Sequence, residues 1–259
     1  MIGCIVQARM GSSRLPGKIM KKVDNDYLLI DYVINQLRFS KRIGKIIVAT
    51  TNLLEDNILC EYLKFKKIEY FRGSSENVLD RYYQCAKQNS IDVIVRITAD
   101  NPLIDPMIVD LIIEKYLNCK CDLATNTIVR TFPYGTEVEV FSFESLKKAW
   151  KYAKKPSELE HVTPFIRDPK NGFTLINIEN DDGNISNIRY TVDKMEDLIL
   201  VREIVKNISE RPILLSNIIE IYKNNPIIYD INKDVKHDGY ARSIKKDQEY
   251  LKSQKHKVT

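Results

Sequence analysis

The chain has 259 residues, of which 44% are hydrophobic and 29% charged, and its formal net charge is +5 at pH 7. This composition is typical of a folded globular protein and excludes a disordered chain, which would be poorer in Ile, Leu, Val and aromatic residues. The basic residues are scattered or gathered near the C-terminus rather than arranged in a dense stripe, so we predict no nucleic-acid partner.

In the first half of the chain, apolar runs typical of buried strands alternate with segments of helical periodicity. Strands are predicted at 2–8, 46–49, 68–71 and 93–97, and helices at 27–39, 55–66 and 77–88. This alternation predicts right-handed crossovers and a parallel sheet. The first apolar run has only strand length and no basic leader precedes it, so we expect a cytoplasmic protein with no membrane partner.

The pattern changes in the second half, where short strand-like runs are separated by irregular connections. Strands are predicted at 122–126, 136–141, 173–178 and 185–191, and helices at 145–153, 193–208 and 214–223. We therefore predict an α/β fold with a mainly parallel central sheet and a mixed or antiparallel extension. Residues 1–230 are predicted to form a single domain, followed by a polar C-terminal tail over residues 231–259.

The five cysteines show no pattern of a disulfide framework or a zinc site. Only Cys119 and Cys121 are close in sequence, and their spacing is neither a CxxC redox pair nor a zinc knuckle. We expect reduced thiols.

The loop after the first strand is basic and rich in small residues. Ligands of open α/β sheets bind beyond the carboxyl ends of the strands, which is where this loop lies. Its small residues allow the backbone to turn closely around an anion, and its cations supply three positive charges. The loop residues concerned are Arg9, Gly11, Ser12, Ser13, Arg14, Gly17 and Lys18. The sequence therefore predicts a phosphate-binding loop, and the alternative is an exposed basic turn.

Two better-known phosphate-binding motifs are absent from this loop. Five residues separate Gly11 from Gly17, and Ile19 stands where a Walker A motif has the Ser or Thr that holds magnesium. No GxGxxG fingerprint is present either. These differences argue against a P-loop kinase and against a nicotinamide-dependent dehydrogenase.

Several longer motifs resemble one known family. The chain resembles the SpsF-like spore-coat polysaccharide cytidylyltransferases, within the acylneuraminate and KDO cytidylyltransferase family, between residue 2 and residue 205 or so. The resemblance rests on ARMGSSRLPGK (8–18), FRG (71–73), VLDRY (78–82), RITADNPLID (96–105), PYGTEVEVF (133–141) and EHVTP (160–164).

The resemblance implies a Rossmann-like nucleotidyltransferase fold and CTP as donor, and it suggests a homodimer. The implied reaction transfers CMP to a sugar or other small anionic acceptor, with release of pyrophosphate, in surface polysaccharide or glycoconjugate precursor synthesis. Residues 1–120 would then be the nucleotide-binding half, and residues 121–230 the acceptor-binding half. Two alternatives stay open: another nucleoside triphosphate as donor, or a non-catalytic nucleotide-binding protein.

Two aspartates are candidate ligands for Mg²⁺. Asp100 follows the strand at 93–97, and Asp193 follows the run that ends at residue 192, so both carboxylates are expected near the triphosphate. Both match the metal-binding aspartates of the family it resembles. The competing interpretation is that each caps a helix, and Asp105 and Asp197 are then the fallback ligands.

The other candidate residues are assigned to the two substrates. Arg14 and Lys18 would neutralise the triphosphate and the leaving pyrophosphate. Donor contacts are predicted for Ala8, Arg9, Gly11, Ser12, Ser13, Arg72, Asn77 and Arg81, and acceptor contacts for Glu137, Glu139 and His161. His161 would bind the acceptor or assist its deprotonation, or else be a structural histidine. Glu160 and His161 are expected at the start of a helix. The family often has Arg before this Glu-His pair, whereas Leu159 stands there in this chain.

Overall fold

The computed structural model describes residues 1–235 and 239–255. The strands are β1 (Ile2–Gln7), β2 (Lys45–Thr51), β3 (Tyr70–Gly73), β4 (Val93–Thr98), β5 (Leu123–Thr125), β6 (Glu139–Ser142) and β7 (Leu175–Asn177). The helices are α1 (Leu29–Leu37), α2 (Asn57–Phe65), α3 (Val78–Gln88), α4 (Pro106–Asn118), α5 (Phe143–Tyr152), α6 (Pro156–His161), α7 (Pro164–Arg167), α8 (Met195–Lys206), α9 (Leu215–Asn224) and α10 (Gly239–Lys255).

The seven strands form one sheet in the order β3-β2-β1-β4-β6-β5-β7. β1 to β4 are mutually parallel, whereas β6 runs antiparallel to both β4 and β5. β7 runs parallel to β5, so the predicted mainly parallel sheet with a mixed or antiparallel extension is confirmed, and the extension is mixed. Because the strand order reverses between β1 and β4, their carboxyl ends flank the crevice where ligands of such sheets bind.

Both faces of the sheet are covered by buried side chains, as expected for a parallel sheet. Along β1, Cys4 and Val6 belong to one apolar cluster, and Ile5 between them belongs to the other. Helices α1, α4 and α8 pack on the first face, and α3, α5 and α7 on the second. β1 is therefore fixed from both sides, which makes the loop after it a well-supported place for a binding site.

The single tryptophan of the chain lies on α5 and is 39% exposed. The ring of Trp150 on α5 stacks on that of Tyr83 on α3, with 4.1 Å between the ring centroids. The indole Nε1 also donates a hydrogen bond of 2.8 Å to Asp80 Oδ1. Trp150 thus joins two helices that cover the sheet.

The predicted strand at 185–191 is wrong. Among the described residues this segment makes only an isolated bridge, between Arg189 and Tyr134. Gly135, next to Tyr134, has φ +116°, and a Cβ there would lie 2.5 Å from the ring of Tyr190. The backbone at residues 134–135 therefore turns away from this segment after one residue. The alternating apolar pattern reflects the burial of Ile188, Tyr190 and Val192 rather than pairing in a sheet.

Two other segments also differ from the prediction. The Glu160-His161 pair ends α6 instead of starting a helix, because that helix begins at Pro156, where Glu158 accepts hydrogen bonds from the backbone N–H groups of Lys154 and Lys155. The region that we described as a polar tail contains α10, which packs against α6.

All five cysteines are free, and three of them are buried. Over the described ranges, none of the helices has both the length and the apolar character needed to cross a membrane.

Candidate active site

The loop after β1 is held in shape by its own backbone and by a buried carboxylate. The N–H of Gly17 donates to the carbonyl oxygen of Met10 at 3.0 Å, and Gly17 adopts the left-handed conformation with φ 65°. Asp56 is fully buried and accepts hydrogen bonds from the N–H groups of Met10 and Thr51. This anchoring directs Lys18, in the short 3₁₀ helix Lys18–Met20, back towards the end of the sheet.

Lys18 lies between the two predicted metal-binding aspartates. Its Nζ is 3.0 Å from Asp100 Oδ2 and 3.2 Å from Asp193 Oδ1, and it donates to the carbonyl oxygen of Val192 at 2.7 Å. These three contacts use the three protons of the ammonium group. The chain therefore brings together residues that are 82 and 175 positions apart in sequence.

Asp100 stands just beyond β4 and is held as an anion. Its Oδ1 accepts a hydrogen bond from the hydroxyl of Thr98, and Oδ2 faces Lys18. Burial opposes ionisation of this carboxyl, but the charge of Lys18 and the hydrogen bond from Thr98 outweigh it and lower its pKa. Asp100 does not cap α4, because Asp105 does so by accepting the N–H of Met107 at 2.7 Å.

Asp193 is surrounded by cations. Besides Lys18, Arg14 contacts its Oδ1 at 2.6 Å and Arg189 contacts its Oδ2 at 2.9 Å. Asp193 does not cap α8, since the carboxylate of Asp197 accepts the N–H groups of residues 193 and 194. The capping interpretation is therefore wrong for both predicted metal ligands, and each fallback residue is itself a helix cap.

Arg14, Lys18 and Asp100 line a cavity of about 480 Å³, which we call the first cavity, whereas Asp193 contacts Lys18 but is not among the lining residues. Its lining consists of Gln7, Ala8, Arg9, Ser12, Ser13, Arg14, Lys18, Ile19, Thr98, Ala99, Asp100, Glu160, Ser243 and Lys246. Its size is within the range of about 300–1,000 Å³ that is common for small-ligand sites. Most predicted donor contacts from the loop line it, whereas Gly11 does not, and a Cβ at Gly11 would lie 2.5 Å from Glu55 Oε1.

Three predicted donor contacts lie outside the lining of the first cavity. Arg72 donates to the carbonyl oxygens of residues 51 and 53 and to the side chain of Asn57. Asn77 is the N-cap of α3 and accepts the N–H of residue 80. The guanidinium of Arg81 is buried and donates to the carbonyl oxygen of Ser74 at 2.8 Å, and burial lowers its pKa. All three shape the backbone beside the cavity.

A second cavity of about 540 Å³ contains the three predicted acceptor contacts, Glu137, Glu139 and His161. Its other lining residues are Arg96, Thr127, Arg130, Tyr134, Thr163, Pro164 and Arg167. Glu137 and Glu139 both face it, as predicted, although only Glu139 belongs to β6.

Glu139 is the centre of a buried ion-pair network. Arg96 and Arg167 contact its two carboxylate oxygens, and Thr163 donates to one of them at 2.6 Å. Burial opposes the charge of Glu139, but the two arginines outweigh it, so its pKa falls to about 2. Glu137 is paired instead with Arg130, whose guanidinium lies 3.9 Å from the ring centroid of Tyr134.

His161 is a neutral group at neutral pH. Burial and the charge of Arg96 lower its pKa below the ordinary value for histidine, against the opposing charge of Glu160. Its Nε2 lies 2.8 Å from the hydroxyl of Ser243 on α10.

The two cavities share a wall. Arg96 contacts Glu139 in the second cavity and donates to Gln7 Oε1, a lining atom of the first, at 3.3 Å. The neighbours Glu160 and His161 line the first and second cavity respectively. Two ligands bound in these cavities would therefore lie next to each other.

Sequence reasoning missed several members of this site. Thr98 and Arg96 belong to the motif RITADNPLID, but no role was predicted for them, and Arg189 stands four residues before Asp193. Arg130, Arg167, Ser243 and Lys246 carried no local signal, because their importance comes from contacts between distant segments.

The donor set for Mg²⁺ is a pair rather than a cluster. Within residues 1–235 and 239–255, no group of three His, Cys, Asp or Glu side chains is arranged to hold a metal ion. Asp100 and Asp193 nevertheless both face one cation, and carboxylate oxygens are the ligands that Mg²⁺ prefers, with water and phosphate oxygens completing its shell. The residues therefore fit Mg²⁺ if Lys18 moves aside.

Known proteins resemble this chain over most of its length. The family model described as cytidylyltransferase matches residues 3–236. An uncharacterised protein of Methanocaldococcus jannaschii, MJ1063, is 38% identical over 91% of this chain and 96% of its own length. The spore coat polysaccharide biosynthesis protein SpsF of Bacillus subtilis is 30% identical, over 86% of this chain and 94% of SpsF.

A solved structure agrees with these matches. The structure of a cytidylyltransferase from Leptospira borgpetersenii superposes with a TM-score of 0.85 at 33% identity, covering 91% of this chain and 99% of that one. The match to the family model and the similarity to these relatives lead to one conclusion: this chain is a nucleotidyltransferase that belongs to the cytidylyltransferase family.

Proposed function

We propose that this enzyme transfers CMP from CTP to a small sugar-like or anionic acceptor and releases pyrophosphate. The observation that carries the proposal is the shared wall between a phosphate-suited first cavity and a second cavity lined by ion pairs. Family membership supports the donor, and the adjoining cavities support direct transfer between two bound substrates.

In the proposed reaction an acceptor oxygen attacks the α-phosphorus of CTP, and pyrophosphate leaves from the opposite side. The bond from the α-phosphorus to the bridging oxygen breaks as the new P–O bond forms. Arg9, Arg14 and Lys18 line the first cavity and would balance the charge of the triphosphate and of the leaving group. No covalent link to the enzyme is required, so position and charge are the main contributions of the protein.

Mg²⁺ is the proposed cofactor, and Asp100 and Asp193 would hold it. When bound, the ion would supply positive charge to the phosphate oxygens during the displacement. Thr98 and Arg189 orient the two carboxylates through hydrogen bonds. Lys18 would then exchange an aspartate for a phosphate oxygen, and this exchange couples its position to the presence of the nucleotide.

The second cavity is the proposed acceptor site. Three arginines face two glutamates there, which suits an acceptor that carries hydroxyl groups together with an anionic group. His161, neutral at neutral pH, would orient an acceptor hydroxyl or accept its proton. The similarity to SpsF supports a product used in surface polysaccharide or glycoconjugate synthesis. Homodimer formation and a cytoplasmic location remain predictions.

Competition among nucleotides tests the proposed donor. The enzyme is given equimolar CTP, UTP, ATP and GTP with Mg²⁺ and a panel of sugars, sugar acids and polyol phosphates, and products are resolved by mass. We expect CTP to be preferred at least about tenfold, because a site built for cytosine leaves buried groups unpaired when uracil enters.

Two outcomes would contradict the proposal in different ways. Equal use of UTP, or exclusive use of a purine nucleotide, would overturn the cytidylyl assignment. Tight CTP binding without transfer to any acceptor of the panel would instead favour a non-catalytic nucleotide-binding protein.

A further inference from the structure

Helix α10 is docked onto the body of the protein by buried polar contacts. The match to the cytidylyltransferase family ends at residue 236, so α10 lies beyond it. Asp247 is buried and accepts hydrogen bonds from the backbone N–H of Ser157 at 2.8 Å and from its hydroxyl at 2.5 Å. One turn earlier, Ser243 is also buried and contacts His161 Nε2 and Glu160 Oε2.

These contacts orient a lysine towards the first cavity. Ser243 and Lys246 both line this cavity, and neither lines the second one. The Nζ of Lys246 is 3.6 Å from Glu160 Oε2, and its side chain is 61% exposed. The backbone of Lys246 is therefore held in place by the docked helix, while its ammonium group remains accessible from the cavity.

The charges around Lys246 indicate which ligand it would meet. Arg9, Arg14 and Lys18 line the same cavity, so Lys246 adds a fourth cation to a space whose proposed occupant is a triphosphate. Among the residues that the structure describes, its ionic partner is Glu160, at a distance where an exposed ion pair contributes little. A phosphate oxygen carrying more charge would compete well for the same ammonium group.

We propose that Lys246 binds the phosphate groups of the nucleotide and that α10 thereby forms part of the donor site. This inference rests on the proposed function of the first cavity. Lys246 exchanges Glu160 for a phosphate oxygen when the nucleotide binds, and the docking of α10 through Asp247 and Ser243 keeps it within reach.

Calorimetric titration with CTP and Mg²⁺, in the absence of an acceptor, tests this role in the full-length protein. We expect Lys246→Ala to weaken CTP binding about three- to tenfold and Lys246→Arg to retain most of it. Lys245→Ala is the matched control, because Lys245 is exposed on the same helix and does not line the cavity. Its affinity should equal that of the wild type.

A second variant separates phosphate binding from a merely structural ion pair. Glu160→Gln removes the competing carboxylate but keeps an amide oxygen that accepts from Ser243. We expect CTP binding to this variant to be unchanged or tighter. If Lys246 only fastened α10 to Glu160, both Lys246→Ala and Glu160→Gln would weaken binding to the same extent.

The outcomes distinguish this inference from the proposed function. Wild-type protein that fails to bind CTP would overturn the proposed function itself. Wild-type protein that binds CTP while Lys246→Ala binds equally well, with an unchanged melting temperature, would overturn only the role of Lys246. If the difference in CTP affinity between the wild type and Lys246→Ala disappears at high salt, the lost contact is one between charges, as proposed.

Discussion

The two cavities contain similar charged groups but use them differently. At the first cavity, Lys18 pairs with Asp100, whose side chain remains 28% exposed, and with Asp193, which is 9% exposed and does not line the cavity. In the second, the Glu139 side chain is only 5% exposed and is fixed by Arg96 and Arg167. Lys18 and Asp100 can exchange partners when a ligand arrives, whereas the buried carboxylate of Glu139 holds its two arginines in place.

A site with many charged residues therefore combines two functions, which are ligand binding and support of the fold. Removing a charge from the first cavity should cost activity and leave the fold intact. Removing Glu139 should cost stability, because it leaves two part-buried arginines without their carboxylate.

The largest expected effect is on catalysis, from Asp100→Asn. This change removes one charge at nearly constant volume from the position that faces Lys18. We expect pyrophosphate release to fall by about 100-fold or more at saturating Mg²⁺, with the melting temperature little changed. The measurement uses an acceptor that the wild type accepts, and Asp181→Asn on an exposed loop is the control. Near-normal turnover would remove Asp100 from the proposed metal site.

Glu139→Ala should produce the largest loss of stability. It removes a buried carboxylate and leaves the part-buried Arg96 and Arg167 without it, so we expect the free energy of unfolding to fall by about 3–5 kcal/mol in urea titrations. Glu144→Ala is the control, because Glu144 is exposed and its change should stay within about 0.5 kcal/mol. If the fold tolerates Glu139→Ala but CTP binding is lost, the distinction between the cavities fails.

The smallest effect concerns acid stability. The pKa of Glu139 is lowered from 4.5 to about 2 by its arginines, against the effect of burial. The unfolded chain binds a proton first as the pH falls, so this stabilisation is present above pH 4.5 and is lost towards pH 2. Glu139→Gln should therefore lose less unfolding free energy than the wild type over this interval, measured by urea titration at several pH values. Parallel losses in the two proteins would show that the carboxylate is not held as an anion.

The sequence predicted the nucleotide end of the molecule better than the acceptor end. β1 and β4 are apolar runs with clear boundaries, and parallel neighbours bring their carboxyl ends together, so the positions of Lys18 and Asp100 followed from local patterns. The network around Glu139 joins residues 28 and 43 positions apart, and no periodicity predicts such contacts. The prediction of a strand at 185–191 failed for a related reason, because burial of every second side chain produces the same alternation of apolar and polar residues as a strand.

The stack of Trp150 on Tyr83 gives this protein a built-in optical probe. The tryptophan is the only one in the chain, and it belongs to neither cavity. Its emission therefore reports whether α3 and α5 remain packed together, while an occupied or altered site leaves its surroundings in place. A variant with wild-type fluorescence and no turnover would have lost chemistry alone, and a variant with shifted emission would have lost its architecture.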